Sequence, residues 1–185
     1  MAPAEQLGPF SYRWEEGCFP LGQDSLLLGA FATVKPGWRV CDLGCGAGAL
    51  LLLLLGRVST LTVCGVEISP VAAAAARRNL ARNGLPGEII TGDLKDPASL
   101  PTAGRWDLAV SNPPWFPDGS GRSGGAERME EQCTLEQLCA AAARCLKNAH
   151  HINTPVPAPT AATCQKTVGY LPEQSVPWQD HPEYP

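Results

Sequence analysis

Residues 38–55 read WRVCDLGCGAGALLLLLL, and no other stretch restricts the fold as tightly. Val40, Cys41, Asp42 and Leu43 make an apolar run of strand length, too short for a helix. Glycines follow at alternate positions, Gly44, Gly46 and Gly48, and then a leucine run that only a buried helix face accommodates. A strand that turns on glycine into a helix leaves backbone N–H groups and the helix N-terminus facing one crevice. The missing side chains let a ligand come close.

The rest of the chain repeats the strand–helix alternation. Residues 10–19 alternate loosely and suit an edge strand or hairpin. Leu26 to Ala32 form a short apolar helix with Asp24 as its N-cap, and residues 35–37, Lys-Pro-Gly, end it. A second core strand over 61–68 carries Glu67 at its tip, about twenty residues beyond the glycine turn. An acid there can accept both hydroxyls of a ribose, or stand solvated at a strand end. Ser69-Pro70 starts an alanine-rich helix that stops at Asn83-Gly84. Its Arg77, Arg78 and Arg82 suit a solvated face more than a phosphate clamp. A third strand, 88–91, leads to Asp93, a site for ligand recognition or simply a turn residue. A fourth, 105–110, empties into Ser111-Asn112-Pro113-Pro114-Trp115.

That corner is the most specific signal. Two prolines fix φ and offer carbonyls without competing N–H donors. With the Asn112 side-chain oxygen they make an acceptor-lined notch, and Trp115 adds an aromatic plate. The notch suits a planar NH₂ group, whose hydrogens the Asn112 oxygen and the Pro113 carbonyl accept. After it, 118–125 is a glycine-rich loop, and 133–146 is helical with Thr134 as a cap.

The chain has 185 residues, enough for one domain, and a net charge of −4, which announces no broad nucleic-acid footprint. Eight cysteines show no C-x-x-C pair, and most sit where a small apolar residue belongs. No zinc site or disulfide framework is expected, and a reducing, cytoplasmic setting suits them. The first twenty residues lack the apolar core of a signal peptide, and the leucine run is far short of the ~20 residues of a membrane span. His150 and His151 have no third ligand, so no metal is expected.

The run Asp42-Leu43-Gly44-Cys45-Gly46-Ala47-Gly48 resembles the first motif of class I S-adenosylmethionine-dependent methyltransferases. Its G-x-G-x-G spacing differs from the nicotinamide and flavin fingerprint, and Asp42 suits a cationic ligand better than a pyrophosphate. The Asn112–Trp115 corner resembles the N-P-P-Y of amino-methyltransferases, with tryptophan for tyrosine. Residues 22–32, GQDSLLLGAFA, resemble the N-terminal segment of the bacterial tRNA1(Val) adenine-N6 methyltransferase group.

These resemblances imply an α/β, Rossmann-like fold binding S-adenosyl-L-methionine through Asp24, Asp42, Gly44, Gly46, Gly48, Glu67, Asp93 and Asn112. Asn112, Pro113, Pro114 and Trp115 would hold an exocyclic amine, adenine N6 in tRNA, for in-line attack on the methyl. A protein glutamine amide fits the notch equally well. A nicotinamide oxidoreductase and a non-catalytic remnant are the alternatives from other classes.

The pattern of the family stops early. It has a seven-stranded sheet in the order 3-2-1-4-5-7-6, and only strands 1–4 are legible here. Residues 1–37 read as an N-terminal segment, 38–148 as an incomplete cofactor-binding domain, and 149–185 as an irregular, proline-rich tail. The expectation is a truncated sheet with its fourth strand as an exposed edge, unless the tail or another chain covers it.

Overall fold

The computed structural model describes residues 4–112 and 133–153. A hairpin of β1 (Ala4–Leu7) and β2 (Phe10–Arg13) leads to α1 (Gln23–Phe31). Then β3 (Arg39–Leu43), α2 (Ala49–Arg57), β4 (Thr62–Glu67), α3 (Pro70–Arg82) and β5 (Glu88–Thr91) alternate. A short 3-10 turn (Pro97–Ser99), β6 (Trp106–Val110), α4 (Leu135–Cys145) and β7 (Leu146–Asn153) complete the described chain. The main sheet is parallel, in the order β5-β4-β3-β6-β7.

Strand alternation sorts the core into two layers. Val40, Val63, Leu108 and Val110 face α2 and α3, together with Leu7 and Tyr12 of the hairpin. Cys41, Leu43, Cys64, Val66 and Ala109 face α4 through Leu138, Ala142 and Cys145. The leucine helix α2 is apolar nearly all round and is covered accordingly. The sheet lies under it, Gly29 of α1 meets Leu53, and Pro9 of the hairpin meets Gly56. At Gly29 a Cβ would stand 2.6 Å from Leu53 Cδ1, so glycine sets how closely α1 approaches.

The structure corrects the expected end of the sheet. Residues 149–153, assigned to the irregular tail, continue β7, which pairs in parallel with β6. The fourth sequence-legible strand is therefore covered by a fifth. Leu146–Asn153 carries no alternating apolar pattern, and its register shifts between Trp106 and Leu108, so periodicity had nothing to report. Further residues of the expected tail, from 154 on, lie outside the described residues.

The hairpin is fastened by a device that hydrophobicity does not announce. Asn79 of α3 and Asn83, its C-cap, each pair like a strand residue with the free edge of β2. Ser11 N–H donates to Asn83 Oδ1 and Asn83 Nδ2 to Ser11 O, both at 2.9 Å. Arg13 N–H donates to Asn79 Oδ1 at 3.0 Å, and Asn79 Nδ2 donates to Arg13 O at 2.7 Å. Four residues of helix rise about 6 Å and two of strand about 6.7 Å, so i,i+4 amides match i,i+2 backbone groups. Asn79 Nδ2 also donates to Ala47 O of the glycine turn at 2.9 Å. Asn79→Ala strips partners from three backbone groups and is expected to cost about 2–4 kcal/mol in urea unfolding. Asn83→Ala, nearer solvent, should cost less.

Candidate functional site

Parallel pairing brings the glycine turn and Asn112 to the ends of adjoining strands. Val40, Cys41 and Asp42 of β3 lie opposite Leu108, Ala109 and Val110 of β6. One step further, buried Ser111 donates its hydroxyl to Leu43 O at 2.5 Å. The glycine turn and Asn112 thus leave neighbouring strands at the same carboxyl end, where ligands of open parallel sheets bind.

The turn is held from both sides. Gly44 N–H and Cys45 N–H donate to Val66 O at 2.8 and 3.0 Å. Gly44, Gly46 and Gly48 all have positive φ, 81°, 53° and 84°, a region that side chains disfavour. At Gly48 there is a second reason: a Cβ would stand 3.3 Å from Ala76 Cβ, where α2 meets α3. Gly65 of β4 contributes by absence, because a Cβ there would collide with Cys45 Sγ.

Two carboxylates flank the turn. Asp42 is fully buried, and neither of its oxygens has a hydrogen-bond partner among the described residues. Burial, and then the charge of Glu67, push its carboxyl up to about 8. A carboxyl placed so invites a ligand that brings a positive charge or a donor. Glu67 accepts at 2.8 Å from Gly46 N–H through Oε2 and from Ser69 N–H through Oε1. Each oxygen keeps acceptor capacity for a hydroxyl. Glu67 thus splints the glycine turn to the start of α3, a task its spacing did not reveal.

Asn112 is half-buried and donates from Nδ2 to Ser25 Oγ at 2.8 Å. This commits the amide nitrogen to the protein and keeps Oδ1 as the acceptor. Ser25 was not singled out in the sequence; lying before a leucine run, it reads as an ordinary helix-start residue. Asp24 is corrected as the N-cap: the helix starts at Gln23, the cap position is Gly22, and no side-chain cap bond forms. Asp24 sits exposed in the first turn beside Ser25. Pro113, Pro114, Trp115 and the 118–125 loop lie outside the described residues.

Asp93 follows β5 and serves its own turn, accepting from Lys95 N–H at 2.9 Å and pairing with Lys95 Nζ at 3.4 Å. The arginines of α3 have partners within the chain. Arg77 donates to Ile89 O and Thr91 Oγ1, Arg78 to Glu15, and Arg82 to Asn79 Oδ1. Among the described residues no His, Cys, Asp and Glu cluster could hold a metal, and no helix is long and apolar enough to cross a membrane.

Comparison with known proteins agrees with this geometry. Residues 23–151 match the family described as the methyltransferase small domain. Over 147 residues the chain is 37% identical to a tRNA1(Val) (adenine(37)-N6)-methyltransferase of Porphyromonas gingivalis, covering 71% of this chain and 56% of that one. A protein of the same name from a Flavobacteriaceae bacterium is 26% identical over 85% of this chain and 68% of its own length. The chain thus spans between about half and two thirds of these relatives' own length. Among solved structures, the T. thermophilus 16S rRNA N2 G1207 methyltransferase, in complex with AdoMet and guanosine, superposes with a TM-score of 0.68. The identity is 22%, over 92% of this chain and 46% of that one. A predicted O-methyltransferase from Agrobacterium tumefaciens gives 0.60 at 20% identity, over 80% of this chain and 67% of that one.

Proposed function

The chain belongs to the methyltransferase small domain family, and on that premise we propose that it is an S-adenosylmethionine-dependent N-methyltransferase acting on adenine N6 in tRNA. The observation that carries the reading is the Ser111–Leu43 hydrogen bond, which sets Asn112 beside the glycine turn. The relatives named for tRNA1(Val) adenine methylation support the choice of base and nucleic acid. The tRNA substrate printed in those relatives' names supports a cytoplasmic setting.

S-Adenosylmethionine supplies a methyl group already made electrophilic by its sulfonium. What is left to the protein is binding and orientation. Asp42 and the turn of Gly44, Gly46 and Gly48 would hold the charged amino-acid end. Glu67 would take the ribose hydroxyls, and Asp93 and Asp24 complete the proposed cofactor-binding set. Asn112 Oδ1, with the Pro113 carbonyl, would accept from the amine. An aromatic NH₂ is a poor nucleophile because its lone pair is delocalised into the ring. Acceptors on its hydrogens favour the pyramidal, partly positive nitrogen of the transition state. Pro114 would fix the corner, and Trp115 would stack on the ring.

The test joins binding to product. Calorimetry should show S-adenosylmethionine binding and NAD not binding. Incubation with methyl-labelled cofactor and unmodified tRNA should then place label in N6-methyladenosine after nuclease digestion. Label on a glutamine amide of an added peptide, with none in tRNA, would move the substrate to protein. Binding of neither cofactor would end the enzymatic reading.

A further inference from the structure

We propose that Ser25 is a positioning residue for this reaction, holding the Asn112 amide with its oxygen toward the acceptor amine. The inference rests on the methyl-transfer reading above and goes beyond it by assigning a task to α1.

An asparagine amide has two orientations of nearly the same shape. One presents an acceptor to the crevice and the other presents donors. Only the acceptor orientation can receive the hydrogens of an NH₂ group, so its population bears directly on turnover. Asn112 lies two residues beyond β6, whose backbone cannot make that choice. In the structure Ser25 Oγ makes it by accepting from Asn112 Nδ2 at 2.8 Å, across 87 positions in sequence, rather than donating to Oδ1. A serine hydroxyl can accept this bond while its own proton goes elsewhere.

The helix that brings Ser25 is itself fixed. Gly29 lets α1 settle directly on Leu53 of α2. Arg57 Nη1 then donates to Gly29 O at 2.8 Å and Ala32 O at 2.7 Å, tying down the far end of α1. Because α2 starts at the glycine turn, Ser25 and the cofactor loop hang on one packed pair of helices. Its neighbours Gln23, Asp24 and Leu26 are exposed, whereas Ser25 is half-buried against the corner. Segment 22–32 is thereby a working part of the amine site as well as a cover for the leucine helix.

The test uses the full chain labelled with ¹⁵N, with Asn112→Asp deleting and so assigning the side-chain NH₂ signals of Asn112. In the wild type these protons should exchange slowly with solvent. Ser25→Ala should speed their exchange by about tenfold with an unchanged melting temperature, and Ser25→Thr should restore the slow rate. In parallel, kcat for methyl transfer should fall about three- to tenfold in Ser25→Ala, with cofactor affinity unchanged, and recover in Ser25→Thr. Unaltered Asn112 exchange in Ser25→Ala overturns the contact. Faster exchange with unaltered kcat overturns the role in the reaction. A wild-type chain that binds the cofactor but methylates no amine sinks the functional reading, and with it the role of Ser25, whatever the exchange rates show.

Discussion

Asn112→Ala should lower methyl transfer by about 10²–10³-fold while leaving S-adenosylmethionine affinity within about threefold. The size follows from where the acceptor acts. In the ground state an adenine amine is flat and nearly neutral, so losing one acceptor costs little. As the nitrogen pyramidalises, its N–H groups become partly positive, and a fixed acceptor is worth far more in a site shielded from water. The carbonyl of Pro113 is backbone and survives the change, so the loss should stop short of abolition. Glu67→Ala should do the reverse. It removes the proposed ribose contacts and also releases Gly46 and Ser69, whose N–H groups now rest on the carboxylate at 2.8 Å. Cofactor affinity should fall at least about tenfold, because charge-assisted bonds are worth roughly 1.5–3 kcal/mol each. With the cofactor saturating, turnover should change much less. Steady-state kinetics on both variants, with calorimetric affinities, separates the two roles. Equal losses of cofactor affinity in both would dissolve the division.

The contrast between these residues also shows what a linear sequence can carry. The glycine spacing, and the strand that ends just before Asn112, were legible because each is a local solution to a backbone problem, solved within a few consecutive residues. Positive φ at 44, 46 and 48, and the shared strand ends of Leu43 and Ser111, are what those motifs imply. The capping box of α4, where Thr134 and Gln137 satisfy each other's backbone, is equally local, and only its Thr134 half was read from the sequence. Ser25, Asn79 and the second duty of Glu67 are different. Their partners stand 87, 66 and 21 positions away, and nothing in composition distinguishes a serine that meets Asn112 from one that meets water. The fifth strand escaped for a related reason. Residues 146–153 are extended because a neighbouring strand pairs with their backbone, and that pairing leaves no mark on side-chain periodicity.

Asp42→Asn should make the cofactor-free protein more stable and at the same time a poor binder, and the gain in stability should grow with pH. An ordinary aspartate in an unfolded chain ionises near 3.8, whereas burial and the nearby Glu67 push folded Asp42 up to about 8. Between those values the folded chain keeps a proton that the unfolded chain has released. Stability therefore falls as pH rises through that window, by up to about 1.4 kcal/mol per pH unit from this group, and levels off above about 8. Asparagine has the same shape and does not titrate, so the difference between variant and wild type isolates this slope. Urea midpoints at pH 6, 7 and 8 should diverge steadily in favour of the variant. Binding should mirror this. A cation beside Asp42 favours the ionised carboxylate, so cofactor binding should expel close to one proton near neutral pH. Affinity should then tighten with rising pH up to about 8, by as much as tenfold per unit. Calorimetry in buffers of different ionisation enthalpy counts that proton directly, and Asp42→Asn should lose both the release and the slope. A wild type that binds without proton release, or a variant no more stable at pH 8 than at pH 6 relative to it, would mean that Asp42 is already charged and paired in the folded chain. The unpaired carboxyl at the strand end would then have no part in choosing a cationic ligand.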